Sequence, residues 1–332
     1  MNAVVTSAYG LAKDVLVLKR VPKPSPGKDE ALVRVRAAGV HAGTVVLVAG
    51  IPWMVRLATG GLFRPKPDSV VGTEFSGEVV ELGPGVTDLR VGDAVYAEVD
   101  FTSGRGCFAE FVCVPAASLS LKPTNLSFTE AAAVPVSGQT ALTVVRDKAR
   151  IAAGQKVLIN GASGGVGSFA VQIAASLGAD VTAVCSSRNA AAAAALGASH
   201  VIDYDVTDFT LSDECFDCII DLVGNRRLDA VLRVVTPNGT YLSAGGPPES
   251  FFRRMGALLF AKLHASQTLA VAMSAPSKQH LVDLCALIEQ GKVKPHIDRT
   301  YTLEHAAEAV SYVAEGHAQG KVVITIVPDG AN

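Results

Sequence analysis

Apolar positions repeat along this chain in two rhythms, and the change between them falls near residue 124. From Met1 to Pro123, short runs alternate apolar with polar residues, as at Val15–Lys19, Ala31–Val35 and Glu78–Leu82. Turn-forming clusters separate the runs: Pro22 to Gly27, Gly83-Pro84-Gly85, and Arg90-Val91-Gly92-Asp93. A period of two with closely spaced turns predicts a small barrel-like β domain. Beyond Thr124 helical spacing enters. Ser127 and Glu130 have the spacing of a capping box, which predicts a helix start. Strand-like runs then follow at Val157–Asn160, Val181–Cys185, His200–Ile202, Cys218–Val223 and Thr240–Ala244. Helical stretches near Gly165–Leu177, Ala190–Leu196 and Leu228–Val235 alternate with them. This recurrence predicts an α/β fold, a doubly wound parallel sheet with right-handed crossovers.

Past Gly246 the pattern weakens. Ser250–Ala275 is strongly apolar, but Arg253, Arg254, Lys262 and His264 interrupt it, so a partly exposed helix followed by a strand is expected, with no bilayer span and no membrane partner. Gln267–Met273 reads as an edge strand, where a second copy can pair into a homodimer. A helix at Thr302–Glu315 and a strand at Lys321–Val327 return the chain to its first domain. The expected division is residues 1–123 with 271–332, and residues 124–270 between them.

The chemistry concentrates at Lys156–Gly178. An apolar, β-branched run enters the turn Gly161-Ala162-Ser163-Gly164-Gly165-Val166-Gly167 and leaves as a helix with Val166, Ala170, Ile173, Ala174 and Leu177 on one face. Gly178 suits the position just past the helix end. Strand, glycine turn and helix converge N–H groups on a partial positive charge, which is a phosphate-binding device. Gly161, Ser163, Gly164, Gly165, Val166 and Gly167 are therefore candidate cofactor residues, in the context a dinucleotide fingerprint requires. In a Rossmann unit, a carboxylate after the second strand selects NAD and an Arg accommodates the 2′-phosphate of NADP. Here Ser186-Ser187-Arg188-Asn189 follow Cys185 without a carboxylate, which points to NADP(H). The competing account makes Ser187 or Asn189 a helix cap and Arg188 a solvated charge.

Composition narrows the partners. The 332 residues are 49% apolar and 18% charged, enough for a sizeable core. A net charge of −2, from 29 basic and 31 acidic residues, gives no footprint for nucleic acid. Met1–Thr6 lacks a charged region ahead of an apolar one, so a cytoplasmic protein is expected. Of six cysteines, Cys215 and Cys218 have C-x-x-C spacing, but no second pair completes a zinc site.

Seven stretches resemble the medium-chain dehydrogenase/reductase superfamily across nearly the whole chain. They are Ala37-Ala38-Gly39-Val40, Val71-Gly72-Thr73-Glu74-Phe75-Ser76-Gly77-Glu78-Val79, Val91-Gly92-Asp93-Ala94-Val95, Gly106-Cys107-Phe108-Ala109-Glu110-Phe111, Ala131-Ala132-Ala133-Val134-Pro135, the Gly161–Gly167 turn and Gly320-Lys321-Val322-Val323. The resemblance implies a GroES-like barrel built from both chain ends, a Rossmann domain between, and an active cleft at their junction. Within the superfamily the chain is similar to the zinc-free quinone-oxidoreductase branch, including its reticulon-4-interacting-protein-like members. Zinc-dependent members carry a Cys shortly after the Ala-Ala-Gly-Val strand and a His before the Glu; here His41 and Thr73 stand in those places. The four-cysteine structural loop is missing, with only Cys107 and Cys113 nearby. His41 and Glu74 with a distant Cys are the only alternative metal set.

Without a Lewis acid a simple ketone is hard to activate, whereas a quinone or conjugated enone delocalises the incoming charge. The resemblance thus implies NADPH-dependent reduction of a small hydrophobic quinone or enone. Two rivals share the motifs: an enoyl reductase on an acyl or natural-product intermediate, and an NADPH-binding protein without catalysis. Zinc-free relatives carry Asn-Pro-x-Asp, with the Asn near the nicotinamide, where this chain has His41-Ala42-Gly43-Thr44. His41, titratable near neutral pH, either keeps a hydrogen bond there, donates a proton, or is a polar wall residue. Tyr96 and Lys66 are weaker candidates for the cleft. Tyr204 stands where relatives place a residue beside the adenosine phosphate, and Val223-Gly224 and Gly245-Gly246 where their backbone meets the nicotinamide. Ile51–Ala58, with Trp53 and Met54, is expected to flank the substrate mouth.

Overall fold

Glu30–Val40 is the spine of the first of two units. This eleven-residue strand is buried almost throughout. It pairs antiparallel with Glu74–Leu82, with Phe111–Pro115 and, from the far end of the chain, with Lys321–Thr325. Ile297–Thr302, Ala94–Glu98 and Ser120–Leu121 complete a seven-stranded sheet. A smaller sheet sets Asn2–Thr6 between Leu16–Arg20 and Ser69–Val70. Val33, Phe75, Phe108, Leu119 and Val322 belong to the core they share. The computed structural model describes residues 1–58, 60–100, 102, 105–247, 251–262, 264–272, 274–316 and 318–327. Ser250 and Met273, ends of the expected late helix and edge strand, lie outside them.

The first unit comprises Met1–Gln139, Pro276–Gly291 and Pro295–Asn332; the second comprises Thr140–Ala275 and Lys292–Lys294. The first unit therefore keeps the chain past Pro123 as far as Gln139. Three polar contacts account for this. Ser76 Oγ donates to the Phe128 carbonyl, the Val136 N–H donates to Glu74 at 2.9 Å, and Gln139 Nε2 donates to Glu98 at 3.0 Å. The capping box at Ser127 forms, with Glu130 N–H on Ser127 Oγ at 3.2 Å and Ser127 N–H on the Glu130 carboxylate at 2.9 Å. At the late boundary, Ala272 donates its N–H to Ser243 at 2.9 Å, so residues 271–275 stay with the second unit.

The second unit is built on six parallel strands in the order His200–Asp203, Asp180–Cys185, Lys156–Asn160, Phe216–Asp221, Val235–Ser243 and Thr268–Val271. Helices Gly165–Ser176, Ala190–Ala195 and Leu228–Arg233 fall between strands. Val235, expected in a helix, begins a strand because it pairs in register with Phe216. Thr302 likewise ends a strand, and its helix starts only at Ala306 after a single tight turn. The Lys278–Glu289 helix went unread, although Leu281, Leu284 and Ile288 mark a buried stripe and Ser277 caps it. Among the described residues no helix is long and apolar enough to cross a membrane.

One buried ion pair ties the chain ends of the first unit together. Lys321 Nζ donates to Glu74 Oε1, with both side chains 1% exposed or less. Removing one partner of a buried pair strands the other charge, at a cost of about 3–5 kcal/mol. Lys321→Met is therefore expected to lower unfolding stability by about that amount in urea. Adding Glu74→Gln to it should restore part of the loss, and an unchanged urea midpoint for Lys321→Met would contradict this account.

Candidate functional site

In the second unit, the glycine turn is held from both sides. The N–H groups of Gly161 and Ala162 both donate to the Val184 carbonyl at 3.1 Å. Gly161 adopts φ +88°, a left-handed conformation that favours glycine, and a Cβ there would meet Val223 Cγ2 at 2.7 Å. A Cβ on Gly167 would lie 2.1 Å from the Gly161 carbonyl oxygen, so the helix start sits directly on the turn. Gly164 differs. Its Cβ would meet only that oxygen at 3.4 Å, and it precedes the helix in extended conformation with no side-chain cap. The protein's own packing therefore does not require Gly164 to lack a side chain. The first-turn N–H groups at Gly165, Val166 and Gly167 have no partner within the helix, which suits an anion. These residues fit a dinucleotide pyrophosphate.

Asn189 organises the neighbouring strand end. Its side chain is 5% exposed, and Nδ2 donates to Ser163 Oγ and Ser186 Oγ, each at 3.1 Å. Neither Ser187 nor Asn189 makes a side-chain cap, which corrects the capping alternative: Asn189 is spent on linking turn to strand end. Ser186 is buried, while Ser187 and Arg188 are exposed. The Arg188 side chain has no hydrogen bond or ion pair among the described residues. Tyr204, 44% exposed, donates its N–H to the Cys185 carbonyl at 3.1 Å, which puts an aromatic ring beside the same strand end.

Asp221, unremarked in the sequence, anchors the next two strands. Its carboxylate is 1% exposed and accepts from Asn160 Nδ2 at 2.9 Å, Tyr241 Oη at 2.9 Å, Val223 N at 3.1 Å and Gly224 N at 2.8 Å. Val223 and Gly224 are thus oriented by a charge. Gly245 presses against Leu222, whose carbonyl oxygen is 1.9 Å from the Cβ position. Arg254, read in the sequence only as a charge breaking an apolar run, donates to Ser243 Oγ and the Gly245 carbonyl. Its guanidinium lies against Gly224 and Gly246. A cavity of about 780 Å³ beside it has Leu228, Leu232, Leu258 and Phe260 in its walls.

In the first unit His41 caps the helix Ala42–Ala49. Its Nδ1 accepts from the Gly43 N–H at 3.1 Å, and its Nε2 lies 2.7 Å from Thr73 Oγ1. An accepting Nδ1 leaves the proton on Nε2, which donates to Thr73. Burial pushes the imidazole down to about 4, Glu74 opposing and Lys321 adding to the effect. This corrects the expected titration near neutral pH: His41 is neutral there. Thr44, where the family resemblance implies an Asp, is 1% exposed with no partner for Oγ1 among the described residues. It shares with Thr73 a cavity of about 60 Å³.

Two catalytic candidates fall elsewhere. Tyr96 is fully buried and its hydroxyl donates to the Leu281 carbonyl, so it is a core residue. Lys66 is an exposed surface residue whose ammonium has no partner among the described residues. Among the described residues no group of three or more His, Cys, Asp or Glu could hold a metal ion. Cys215 is exposed, whereas burial pushes the Cys218 thiol up to about 12.

Similarity to known families covers two stretches of the chain. Residues 27–124 match the alcohol dehydrogenase GroES-like domain, and residues 196–324 the zinc-binding dehydrogenase domain. The mitochondrial NAD(P)H oxidoreductase RTN4IP1 of Mus musculus is 32% identical over 90% of this chain and 82% of its own. The quinone oxidoreductase structure from Coxiella burnetii is 30% identical, with a TM-score of 0.87 over 98% of this chain and 99% of that one. The chain belongs to the quinone-oxidoreductase-like branch of the medium-chain dehydrogenase/reductase superfamily. It is an oxidoreductase of that superfamily, with a GroES-like first unit and a parallel-sheet second unit. A segment making up 5% of the polyketide synthase GfsB of Streptomyces halstedii is also 31% identical over 91% of this chain.

Glu98 provides a pH test of the buried charges. Burial, then Glu74, push its carboxyl up to about 8 from 4.5, against the pull of Lys321. Between pH 4.5 and about 8 the folded state holds a proton that the unfolded state has lost. Stability then falls as pH rises through this window, by up to about 1.4 kcal/mol per unit. Glu98→Gln is expected to flatten that fall in urea midpoints measured from pH 5 to 8; an unchanged slope would contradict it.

Proposed function

We propose that the chain is a zinc-independent, NADPH-dependent reductase of quinones or conjugated enones. The observation that supports this best is the glycine turn, together with exposed Ser187 and Arg188 at a strand end without a carboxylate. NADPH, when bound, supplies a hydride from its nicotinamide. Gly164 and the helix N-terminus hold the pyrophosphate, and Ser163, positioned by Asn189, adds a hydroxyl. Ser186, Ser187 and Arg188 receive the 2′-phosphate, and Tyr204 flanks the adenosine. Val223 and Gly245 frame the nicotinamide, with Asp221 fixing the first through its N–H.

His41 acts in this reading as a neutral hydrogen-bonding wall that orients Thr73, not as an acid. The oxyanion left by hydride addition takes its proton from water. Delocalisation of that charge in a quinone or enone removes the need for a metal. The apolar walls of the larger cavity suit a hydrophobic substrate. The kinship with a polyketide synthase segment favours a second reading, reduction of an enoyl intermediate. A panel of quinones and enoyl thioesters separates the two by the rate of NADPH oxidation.

Thr268–Val271 ends the sheet and pairs on one side only with Val235–Ser243, which supports a homodimer through this edge. Sedimentation equilibrium at micromolar concentration should show a dimer, and a monomer there would overturn the pairing. For the cofactor, Arg188→Ala should weaken NADPH binding by about tenfold or more, the scale of a charge-assisted contact, and leave NADH binding within about twofold. Equal loss for both dinucleotides in titration calorimetry would sink the NADP assignment.

A further inference from the structure

Residues 51–58, expected to flank the substrate mouth, and residues 60–66 carry a surface that neither the cofactor nor the core explains. Trp53 is 56% exposed, Leu57 61% and Phe63 86%, and Ile51, Met54 and Leu62 are also exposed. The backbone beneath them is fastened. Tyr9 Oη donates to the Gly61 carbonyl at 2.9 Å, and the Gly61 N–H donates to the Arg56 carbonyl at 3.0 Å. Arg56 turns inward, with Nε on the Gly50 carbonyl at 2.8 Å and its guanidinium over the Tyr9 ring at 5.0 Å. The segment is thus held with its large apolar side chains outward, and burying them is favourable.

Charge says what can cover them. No Asp or Glu occurs between residues 31 and 67. The side chains of exposed Arg64 and Lys66 have no hydrogen bond or ion pair among the described residues, and the first carboxylate beyond them, Asp68, is taken by Lys19 at 2.7 Å. Large apolar residues including a Trp, bordered by unopposed basic ones, form the pattern of a segment lying in a lipid interface. A symmetric contact between two copies would bring Arg64 and Lys66 of both toward one another, which disfavours self-association through this face.

We propose that residues 51–66 dock the protein on the surface of an anionic bilayer, with Trp53, Leu57 and Phe63 in the interface and Arg64 and Lys66 at the headgroups. The docking stands independently of the reductase reading. If both hold, the enzyme meets lipophilic substrates where they dissolve.

Trp53 is the only tryptophan of the chain and reports on this segment directly. Titrated with vesicles of phosphatidylglycerol and phosphatidylcholine, the full chain should show a blue-shifted emission that brominated acyl chains quench. Pure phosphatidylcholine should give neither effect, and salt should weaken the binding. Arg64→Gln with Lys66→Gln should lower partitioning about 25-fold, at about fivefold per basic residue. Phe63→Ser should lower it about tenfold or more, with turnover of a water-soluble quinone unchanged. Absence of quenching on anionic vesicles, or equal quenching on neutral ones, would overturn the proposal. A blue shift that grows with protein concentration in the absence of vesicles would also overturn it, in favour of a second copy.

Discussion

The carbonyl oxygen of Gly161 lies 2.1 Å from the point a Cβ on residue 167 would occupy. Everything the second unit does with a nucleotide depends on that approach. It lets the helix begin directly over the end of the strand Lys156–Asn160. Neighbours on both sides fix the turn, through the Val184 carbonyl on one and Val223 on the other. The strand sits in the interior of the six-stranded sheet, between Asp180–Cys185 and Phe216–Asp221. Strand order reverses there, and in such sheets ligands bind beyond the carboxyl ends of the strands at the reversal. Ser186, Arg188, Tyr204, Val223 and Gly245 all follow strand ends of this sheet. Their common address, more than any single contact, is the ground for proposing them as one cofactor site.

The first unit follows a different principle. Its interior holds the ionisable side chains Glu74, Lys321 and Glu98, each with a hydrogen-bond partner. Glu74 accepts from Lys321 and from the Val136 backbone, and Glu98 accepts from Gln139, whose Oε1 in turn accepts from the Ser277 N–H at 2.7 Å. These contacts draw residues 128–139, 276–291 and 321–325 onto one sheet. Burial sets the state of His41, which stands neutral and bonded on both nitrogens between Gly43 and Thr73. The Thr44 hydroxyl is buried without a partner among the described residues.

What the sequence made legible was set by burial. Strands of the parallel sheet are covered on both faces, so Val157–Asn160 and Val181–Cys185 stand out as continuous apolar runs. Ile297–Thr302 lies half exposed at a sheet edge and reads as nothing in particular. The starts of Phe216–Asp221 and Val235–Ser243 were lost for a similar reason, since Asp217, Pro237 and Asn238 break the apolar pattern. The candidate cofactor residues of the glycine turn and of Ser186–Arg188 stand out in the sequence because their chemistry is local to one turn and one strand end. Asp221, Asn189 and Arg254 do not stand out, because each also bonds a partner outside its own turn or strand. Tyr96 and Lys66 illustrate the opposite failure. Residue type alone made them candidates, and burial of one and exposure of the other decided against both.

The central claim is that this scaffold delivers hydride from NADPH without a metal. Its most direct test follows the absorbance of the reduced nicotinamide in chelator-stripped protein, with a water-soluble quinone and either NADPH or NADPH deuterated at the transferred position. The account predicts undiminished oxidation after stripping and a primary isotope effect on the single-turnover rate. Loss of oxidation on stripping with recovery on added zinc, or no isotope effect on that rate, would contradict it.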